Sequence, residues 1–261
     1  MKQRKTVALV LSGGGALGCA HIGVIKVLEK YNIPVDIVVG TSMGGVVGAA
    51  YAAGLSSEKM TELACKFKAI NFLDMNFDNS GIFSGKGVMK VINKFLPDIN
   101  IEHLSKHFAC VSADLLTEKE VVFKTGPVRD AVRSTISIPG VFVPFSKEKM
   151  LLIDGGVINN LPEDVAMEMG ADIIISVDVI ANCRLTKKPK NAIITLFYSI
   201  FTSTKEIQKL KAHHSDIMIK PDMNGLTPFS YGKDGAMLAI KRGENAALKQ
   251  IENIAKLLEL K

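Results

Sequence analysis

Short β-branched runs alternate with helical segments along most of the chain, and this alternation is the feature that most restricts its fold. Strands are predicted at residues 6–11, 36–40, 107–116, 120–126, 149–157 and 172–179. Helices are predicted at residues 18–32, 43–53, 56–70, 127–137 and 163–170, with one or two more after residue 232. Alternating strands and helices build a mostly parallel sheet with helices on both faces. We therefore predict an α/β fold with three layers, α/β/α, around a mostly parallel central sheet.

The chain reads as one unit. No internal repeat, low-complexity linker or domain boundary interrupts residues 1–261, so we predict a single domain. Residues 67–100 are rich in Phe and Met, and residues 191–211 join an apolar half to a basic half. Core packing is one interpretation of these two segments. The other is a lid or pocket wall for an apolar substrate, because flexible Met and Phe side chains line adaptable apolar sites.

Composition and net charge narrow the class of protein. The chain is 48% hydrophobic and 22% charged, which is typical of a globular protein with a large core. Its net charge of +6 is scattered, without a run of five like charges, so nucleic acid is not an expected partner. Contact between a basic face and an anionic membrane surface stays open.

The amino terminus resembles a signal peptide, but its apolar run VALVL has five residues, fewer than the roughly 7–15 of an export signal. No apolar run reaches the roughly 20 residues of a membrane-spanning helix. The four cysteines lack CxxC spacing and are expected to be reduced, buried thiols: Cys19, Cys65, Cys110 and Cys183. We expect a cytoplasmic protein that contacts a membrane at most at its surface.

The first predicted strand ends in a glycine-rich loop, SGGGALG, in which Gly13, Gly15 and Gly18 have GxGxxG spacing. A dinucleotide-binding loop also needs an acidic residue at the end of the second strand, about 20 residues later. Asp36 instead begins that strand, which disfavours a nucleotide-binding module. Consecutive glycines before a helix let several backbone N–H groups point to one place, where they bind a phosphate or a developing oxyanion. A tight turn that needs glycine only for its backbone angles is the alternative.

The second predicted strand ends in GTSMG, which places Ser42 between Gly40 and Gly44 at a strand-to-helix turn. A serine in this position has the setting of a nucleophile elbow, where the flanking glycines let strand and helix approach closely. The N–H of Met43 would lie beside the attacking oxygen as one oxyanion donor. The alternative is that Ser42 is one more small residue in a tight turn.

A nucleophilic serine needs a base, and two kinds are available. The five histidines lie outside any recognised motif: His21, His103, His107, His213 and His214. Either of the last two could complete a Ser–Asp–His order with Asp154 or Asp178. Asp154 alone is the other candidate, because it ends an apolar strand before Gly155 and Gly156, where a buried carboxylate could accept a proton. It could equally open a turn, since Asp-Gly is a common turn pair.

Four segments together resemble the patatin-like phospholipases, in particular their small bacterial members: LSGGGALGCAHIGVIKVLEK, GTSMGG, SIPGVFVPF and LLIDGGVINNLPEDVAMEMGADIIISVDV. The resemblance covers nearly the whole chain. It implies a patatin-like fold and hydrolysis of lipid acyl esters by a Ser–Asp dyad without histidine, with Ser42 as nucleophile and Asp154 as proton acceptor. It also implies that backbone N–H groups of Gly13, Gly14 and Gly15 bind the oxyanion. The remaining motif glycines are Gly18, Gly40, Gly44, Gly155 and Gly156.

The resemblance implies no metal or organic cofactor, and a lipid acyl ester as the partner; it specifies no oligomeric state. Leu17 departs from the family, which commonly has Arg or Lys before the last glycine of the loop. The missing cation weakens the expectation of a phospholipid headgroup more than that of ester hydrolysis. Two rival interpretations remain: a histidine-triad esterase of the α/β-hydrolase kind, and a lipid-binding or regulatory protein without catalysis.

Overall fold

The computed structural model describes residues 4–67, 74, 82–186, 188–211 and 213–259. Within these residues, eight strands form one sheet: β1 (Val7–Leu11), β2 (Ile37–Thr41), β3 (His107–Asp114), β4 (Lys119–Phe123), β5 (Phe145–Lys147), β6 (Met150–Asp154), β7 (Ile173–Val177) and β8 (Ile217–Ile219). The same residues form nine α-helices: α1 (Cys19–Lys30), α2 (Met43–Ala52), α3 (Ser57–Lys66), α4 (Lys86–Ile92), α5 (Val128–Thr135), α6 (Glu163–Glu168), α7 (Ala192–Leu210), α8 (Lys233–Leu248) and α9 (Ile251–Leu257).

The sheet is mostly parallel. Its strand order is β5-β6-β3-β2-β1-β7-β8, with β4 paired to β3. Neighbours among β3, β2, β1, β7 and β8 pair in parallel, whereas β4 and β6 pair antiparallel to β3, and β5 antiparallel to β6. The predicted α/β class is therefore confirmed.

Side chains of the central strands alternate between two hydrophobic clusters, one on each face of the sheet. In β1, Val7, Leu9 and Leu11 belong to the larger cluster, and Ala8 and Val10 to the smaller one, which is covered by α6. This alternation follows from the two-residue repeat of a strand. All five residues are buried, as expected of a parallel strand with helices above and below it. The three-layer arrangement is thus confirmed as well.

The register of β3 brings two strand ends together. Thr41, the last residue of β2, lies opposite Val111, and Asp154, the last residue of β6, lies opposite the next residue, Ser112. Both β2 and β6 overlap in register with β4, which occupies the other edge of β3. Parallel β2 and antiparallel β6 therefore share one edge of β3 and point at each other. Residues that follow Thr41 meet residues at the end of β6.

Three expectations change in detail. The helix that was predicted over residues 56–70 covers residues 57–66. In the segment 67–100, which was predicted to be core or a lid, residues 68–73 and 75–81 lie outside the described residues. All four cysteines are free thiols, but Cys19 and Cys65 are partly exposed, so the expectation that all are buried is wrong. Cys19 borders a cavity, and Cys65 lies in the last turn of α3.

None of the described helices combines the length and apolar character needed to cross a bilayer.

Candidate active site

Ser42 and Asp154 meet where β2 and β6 converge. The hydroxyl of Ser42 donates a hydrogen bond of 2.6 Å to Oδ2 of Asp154. Both residues are buried, with 7% and 6% of their surface exposed. The structure therefore brings together, from distant parts of the chain, the two side chains that the sequence singled out.

The backbone at Ser42 has the geometry of a sharp strand-to-helix turn. Its φ and ψ are 55° and −124°, a conformation that costs a non-glycine residue of the order of 1–3 kcal/mol. Its N–H donates to Oγ1 of Thr135 at 2.8 Å, and that hydroxyl donates to the carbonyl of Val111 at 2.5 Å. A Cβ at Gly44 would overlap the carbonyl of Leu11, so only glycine lets α2 approach β1 this closely. Thr135 and Gly44 thus hold Ser42 in place.

Asp154 has an unusual affinity for protons. Burial raises the pKa of its carboxyl to about 6, while hydrogen bonds from Ser42 and from the N–H of Gly156 act in the opposite direction. The Gly156 bond to Oδ1 is 2.8 Å long. At neutral pH the group is mainly a carboxylate, yet it accepts a proton more readily than an exposed aspartate. This is the balance that a general base requires.

The glycine loop after β1 borders the cavity that holds the dyad, but its three predicted oxyanion donors differ in their hydrogen bonds. The N–H of Gly13 donates to the carbonyl of Asn160 at 3.1 Å and is therefore already occupied in this structure. A Cβ at Gly13 would lie 2.5 Å from Oδ1 of Asn160, and close packing explains this glycine instead. The N–H groups of Gly14, Gly15 and Met43 have no acceptor among the described residues.

Gly15 cannot be replaced without strain. Its φ is +57°, and a Cβ there would lie 2.6 Å from the carbonyl of Pro228. The same carbonyl accepts a hydrogen bond of 2.9 Å from the N–H of Ala16. The loop is therefore pinned to the segment before α8, and it continues as a short 3-10 helix, Gly15–Gly18, into α1.

Leu17 is fully buried in the larger hydrophobic cluster and does not line the cavity around Ser42. Its side chain therefore faces the core, away from any headgroup bound beside the dyad. Gly18, one residue later, lies against the side chain of Met43, which ties the glycine loop to the start of α2.

The histidines serve other contacts. His21 is fully buried, its Nε2 lies 2.8 Å from the carbonyl of Ser12, and burial lowers its pKa to about 4. His213 and His214 both contact Glu163, the first through its ring at 3.6 Å and the second through its backbone N–H at 2.7 Å. In the described part of the chain, no histidine ring is hydrogen-bonded to either member of the dyad. His103 and His107 are exposed.

Asp178, the other carboxylate considered for a triad, belongs to a clasp between α7 and the glycine loop. Its Oδ2 accepts a hydrogen bond from the amide of Gln208, whose Oε1 accepts one of 2.9 Å from the amide of Asn160. The carbonyl of Asn160 in turn holds the N–H of Gly13. Thr204 adds a bond of 2.9 Å to the carbonyl of Gly156. The carboxy-terminal half of α7 is thereby fixed beside the dyad.

Two cavities adjoin the site. The first holds about 460 Å³ of empty space and is bordered by the glycine loop, the dyad, and three residues of α7: Phe197, Ile200 and Phe201. The second holds about 870 Å³ between α1, α2, α3 and α4, and its lining is almost entirely apolar. Met43, next to Ser42, borders the second cavity. Among the described residues, no group of three or more His, Cys, Asp or Glu side chains is placed to hold a metal ion.

Sequence reasoning missed Thr135, Asn160 and Gln208. Asn160 lies in the segment DGGVINN, directly after the motif glycines, so its proximity to the site could have been suspected. Thr135 and Gln208 lie in ordinary helical sequence, and nothing near them marks a functional position. Their contacts depend on packing between distant elements.

Comparison with known proteins identifies the family of this chain. The patatin-like phospholipase family matches residues 9–167. Mouse patatin-like phospholipase domain-containing protein 6 is 38% identical over 182 residues, which cover 67% of this chain and 13% of that protein. An NTE family protein of Mycobacterium tuberculosis is 36% identical over 177 residues, covering 67% of this chain and 30% of that protein. The chain thus spans less than a third of the length of either relative.

The fold is shared with a solved phospholipase. Human GIVD cytosolic phospholipase A2, in complex with methyl gamma-linolenyl fluorophosphonate, superimposes with a TM-score of 0.55 at 12% identity. The match covers 98% of this chain and 58% of that one. At this identity the likeness concerns the fold alone. The family match over residues 9–167 goes further, and the chain belongs to the patatin-like phospholipase family.

Proposed function

We propose that this protein is a serine hydrolase that cleaves acyl esters of lipids through Ser42 and Asp154. The observation that carries the proposal is the 2.6 Å hydrogen bond from Ser42 to a buried carboxylate, made at a strained strand-to-helix turn. Family membership and relatives named phospholipases support a lipid ester as the substrate. The single domain predicted from the sequence supplies every group that the mechanism uses.

The first half of the reaction forms an acyl-enzyme. Asp154 takes the hydroxyl proton of Ser42 as Oγ attacks the acyl carbonyl carbon. The N–H groups of Gly14, Gly15 and Met43 then donate to the oxyanion. When the tetrahedral intermediate collapses, the bond to the alcohol oxygen breaks and Asp154 returns its proton to that oxygen.

The second half repeats these steps with water. Asp154 takes a proton from a water molecule, whose oxygen attacks the acyl carbon, and the bond to Oγ of Ser42 then breaks. Ser42 recovers its proton from Asp154, and a fatty acid leaves. No metal or organic cofactor takes part in the proposed steps.

The apolar cavity beside Met43 is suited to an acyl chain. Its lining is almost entirely apolar, and burial of methylene groups there would provide binding energy of about 0.8 kcal/mol each. The free thiols of all four cysteines fit our proposed location in the reducing cytoplasm.

Covalent labelling with a long-chain alkyl fluorophosphonate, followed by intact mass measurement, tests the proposal. We expect one adduct on the wild type, none on Ser42→Ala, and much slower labelling of Asp154→Asn. Ser176→Ala is the matched control, because Ser176 is also buried and its hydroxyl has no partner in the described part of the chain. A folded wild type that does not label would overturn the proposal. Loss of labelling in a His213→Ala, His214→Ala double variant would favour a histidine triad.

A further inference from the structure

Helix α7 carries a buried stripe of side chains and a second, apolar stripe that is not buried. The residues that face the core recur at helical spacing: Phe197, Phe201, Thr204 and Gln208. A second stripe runs beside them within about 100° of the helix circumference and meets solvent: Ile193, Leu196, Ile200, Ile207 and Leu210. Contacts with the turn after β6, with Asp178 and with Phe229 explain the first stripe. They do not explain the second, which we call the exposed stripe.

The exposed stripe is long, and the polar residue Ser203 interrupts it between Ile200 and Ile207. The 19 residues of α7 extend over about 28 Å, and the stripe follows this whole length. Phe229, which is 39% exposed, packs against Phe197 in a tilted arrangement with 4.6 Å between ring centroids and adds an aromatic ring next to α7. An apolar surface of this kind marks a contact with another molecule.

The segment that leads into α7 is basic. Residues 179–205 contain five Lys or Arg residues and no Asp or Glu. Three of the basic residues are exposed and have no acidic partner among the described residues: Arg184, Lys188 and Lys190. A cluster of cations next to an exposed apolar helix matches the charge of an anionic lipid surface.

The position of the stripe also favours a membrane over a protein partner. Ile200 belongs to the exposed stripe and also borders the cavity that holds Ser42 and Asp154. A lipid surface on this face would therefore lie next to the cavity that a lipid ester has to enter.

We infer that the exposed stripe of α7, with Arg184, Lys188 and Lys190, docks the protein on anionic membranes and places the cavity of Ser42 and Asp154 next to the lipid. The inference extends the proposed function, because it states how a lipid ester reaches Ser42. The apolar residues enter the boundary between headgroups and acyl chains, and the basic residues neutralise headgroup charge.

Flotation of the full chain with lipid vesicles tests this inference, in a Ser42→Ala background so that no lipid is consumed. One set of vesicles contains only phosphatidylcholine, and the other an equimolar mixture with phosphatidylglycerol. We expect binding to the mixed vesicles that weakens as salt is added. Changing Arg184, Lys188 and Lys190 to Gln should weaken it about 100-fold, because each cation near an anionic surface contributes about a fivefold gain.

The apolar part is tested by the double variant Ile193→Ser, Ile207→Ser, which should weaken binding about tenfold. Serine and isoleucine have similar helix propensities, so α7 should persist. The matched control is Met167→Ser with Leu248→Ser, two similarly exposed apolar residues on α6 and near the end of α8, and it should bind like the parent protein. Circular dichroism verifies that all variants fold.

Three results would overturn the inference. The first is that the parent protein does not bind the mixed vesicles, and the second is that the basic-residue variant, the stripe variant and the control all bind equally. The third is a dimer in sedimentation velocity that dissociates in the Ile193→Ser, Ile207→Ser variant while the vesicle binding of that variant is unchanged. The last result would assign the stripe to a second copy of the chain. Failure of fluorophosphonate labelling would remove the proposed function without affecting the flotation result, so the two failures are distinguishable.

Discussion

The carboxyl of Asp154 and the hydroxyl of Ser42 form a pair in which each group changes the behaviour of the other. Burial favours the protonated acid, whereas the hydroxyl and the N–H of Gly156 stabilise the carboxylate. The resulting pKa of about 6 lies just below neutral pH, so in the proposed mechanism the carboxylate is available as a base at neutral pH and holds a transferred proton more firmly than an exposed aspartate.

The pH dependence of the reaction should report this pKa. A protonated Asp154 cannot accept the serine proton, so kcat/KM should be low in acid and rise with an apparent pKa of about 6. Hydrolysis of a short-chain nitrophenyl ester across pH 4 to 9 would measure the profile. A flat profile across that interval would contradict the role of Asp154 as base.

The same shift should appear in stability. The pKa of Asp154 rises from 3.8 in the unfolded chain to about 6 in the folded one, so the wild type loses stability as pH rises through this interval. Asp154→Asn has no such dependence. The free energy of unfolding of the variant, relative to wild type, should therefore increase by about 3 kcal/mol between pH 3.5 and pH 8. Urea unfolding of both proteins at both pH values measures this difference in the free energy of unfolding. If the difference is the same at both pH values, burial does not shift the pKa of Asp154.

Among the elements, the glycine loop depends on contacts that arrive from elsewhere in the chain. Its sequence predicted a turn with converging N–H groups, and the N–H groups of Gly14 and Gly15 have no acceptor among the described residues. It could not show that the carbonyl of Asn160 would occupy the N–H of Gly13, because that contact depends on where the segment after β6 lies. Strand ends and glycine turns are local patterns, whereas the partner of each N–H is set by tertiary packing.

The loop's geometry should be sensitive to one methyl group. Gly15→Ala places a Cβ against the carbonyl of Pro228 and forces alanine into a positive φ, so the loop must shift. Loss of one oxyanion donor costs about 10²–10³-fold in kcat, and we expect a decrease of this order with little change in KM. Gly170→Ala is the control: its φ is +86°, but nothing lies within 4 Å of its Cβ. Equal losses in both variants would indicate general destabilisation.

Helix α7 illustrates what a sequence pattern reveals and what it leaves out. The apolar half of residues 191–211 suggested either core packing or a pocket wall, and the helix combines both: one stripe packs inward, and Phe197, Ile200 and Phe201 border the site. Hydrophobic periodicity identified the helix. Its angle to the sheet, which decides what each stripe faces, comes from the clasp made by Gln208 and Thr204.

In the molecule as a whole, Ser42 and Asp154 lie between the glycine loop and a large apolar cavity. This cavity lies between helices that cover one face of the sheet, and Met43 is part of its lining. Its far wall includes α3, a separate element from those that carry the dyad and the loop. A substitution in α3 should therefore change the preference for acyl chain length without changing the chemical step.

Ala64→Phe should test this separation. Ala64 is a partly exposed residue of α3 that borders the large cavity, and a phenyl ring there would reduce the space for the distal part of an acyl chain. We expect the ratio of kcat/KM for long-chain over short-chain esters to fall about tenfold, because each excluded methylene loses about 0.8 kcal/mol. Ala255→Phe, on α9 and outside the cavity lining, should leave the ratio unchanged. A long-chain preference that survives in Ala64→Phe would place the acyl chain elsewhere.

Because β2 and β6 end opposite adjacent residues of β3, the effect of a one-residue insertion on the site depends strongly on where it is made. An insertion within β6 would move Asp154 by about 3.4 Å along β3 and turn its side chain to the other face of the sheet. An insertion in the exposed turn at residues 115–118, between β3 and β4, would leave both facing strand ends where they are. A tag or a reporter loop should therefore be inserted in that turn, which follows the end of β3 and precedes β4, and not within β6.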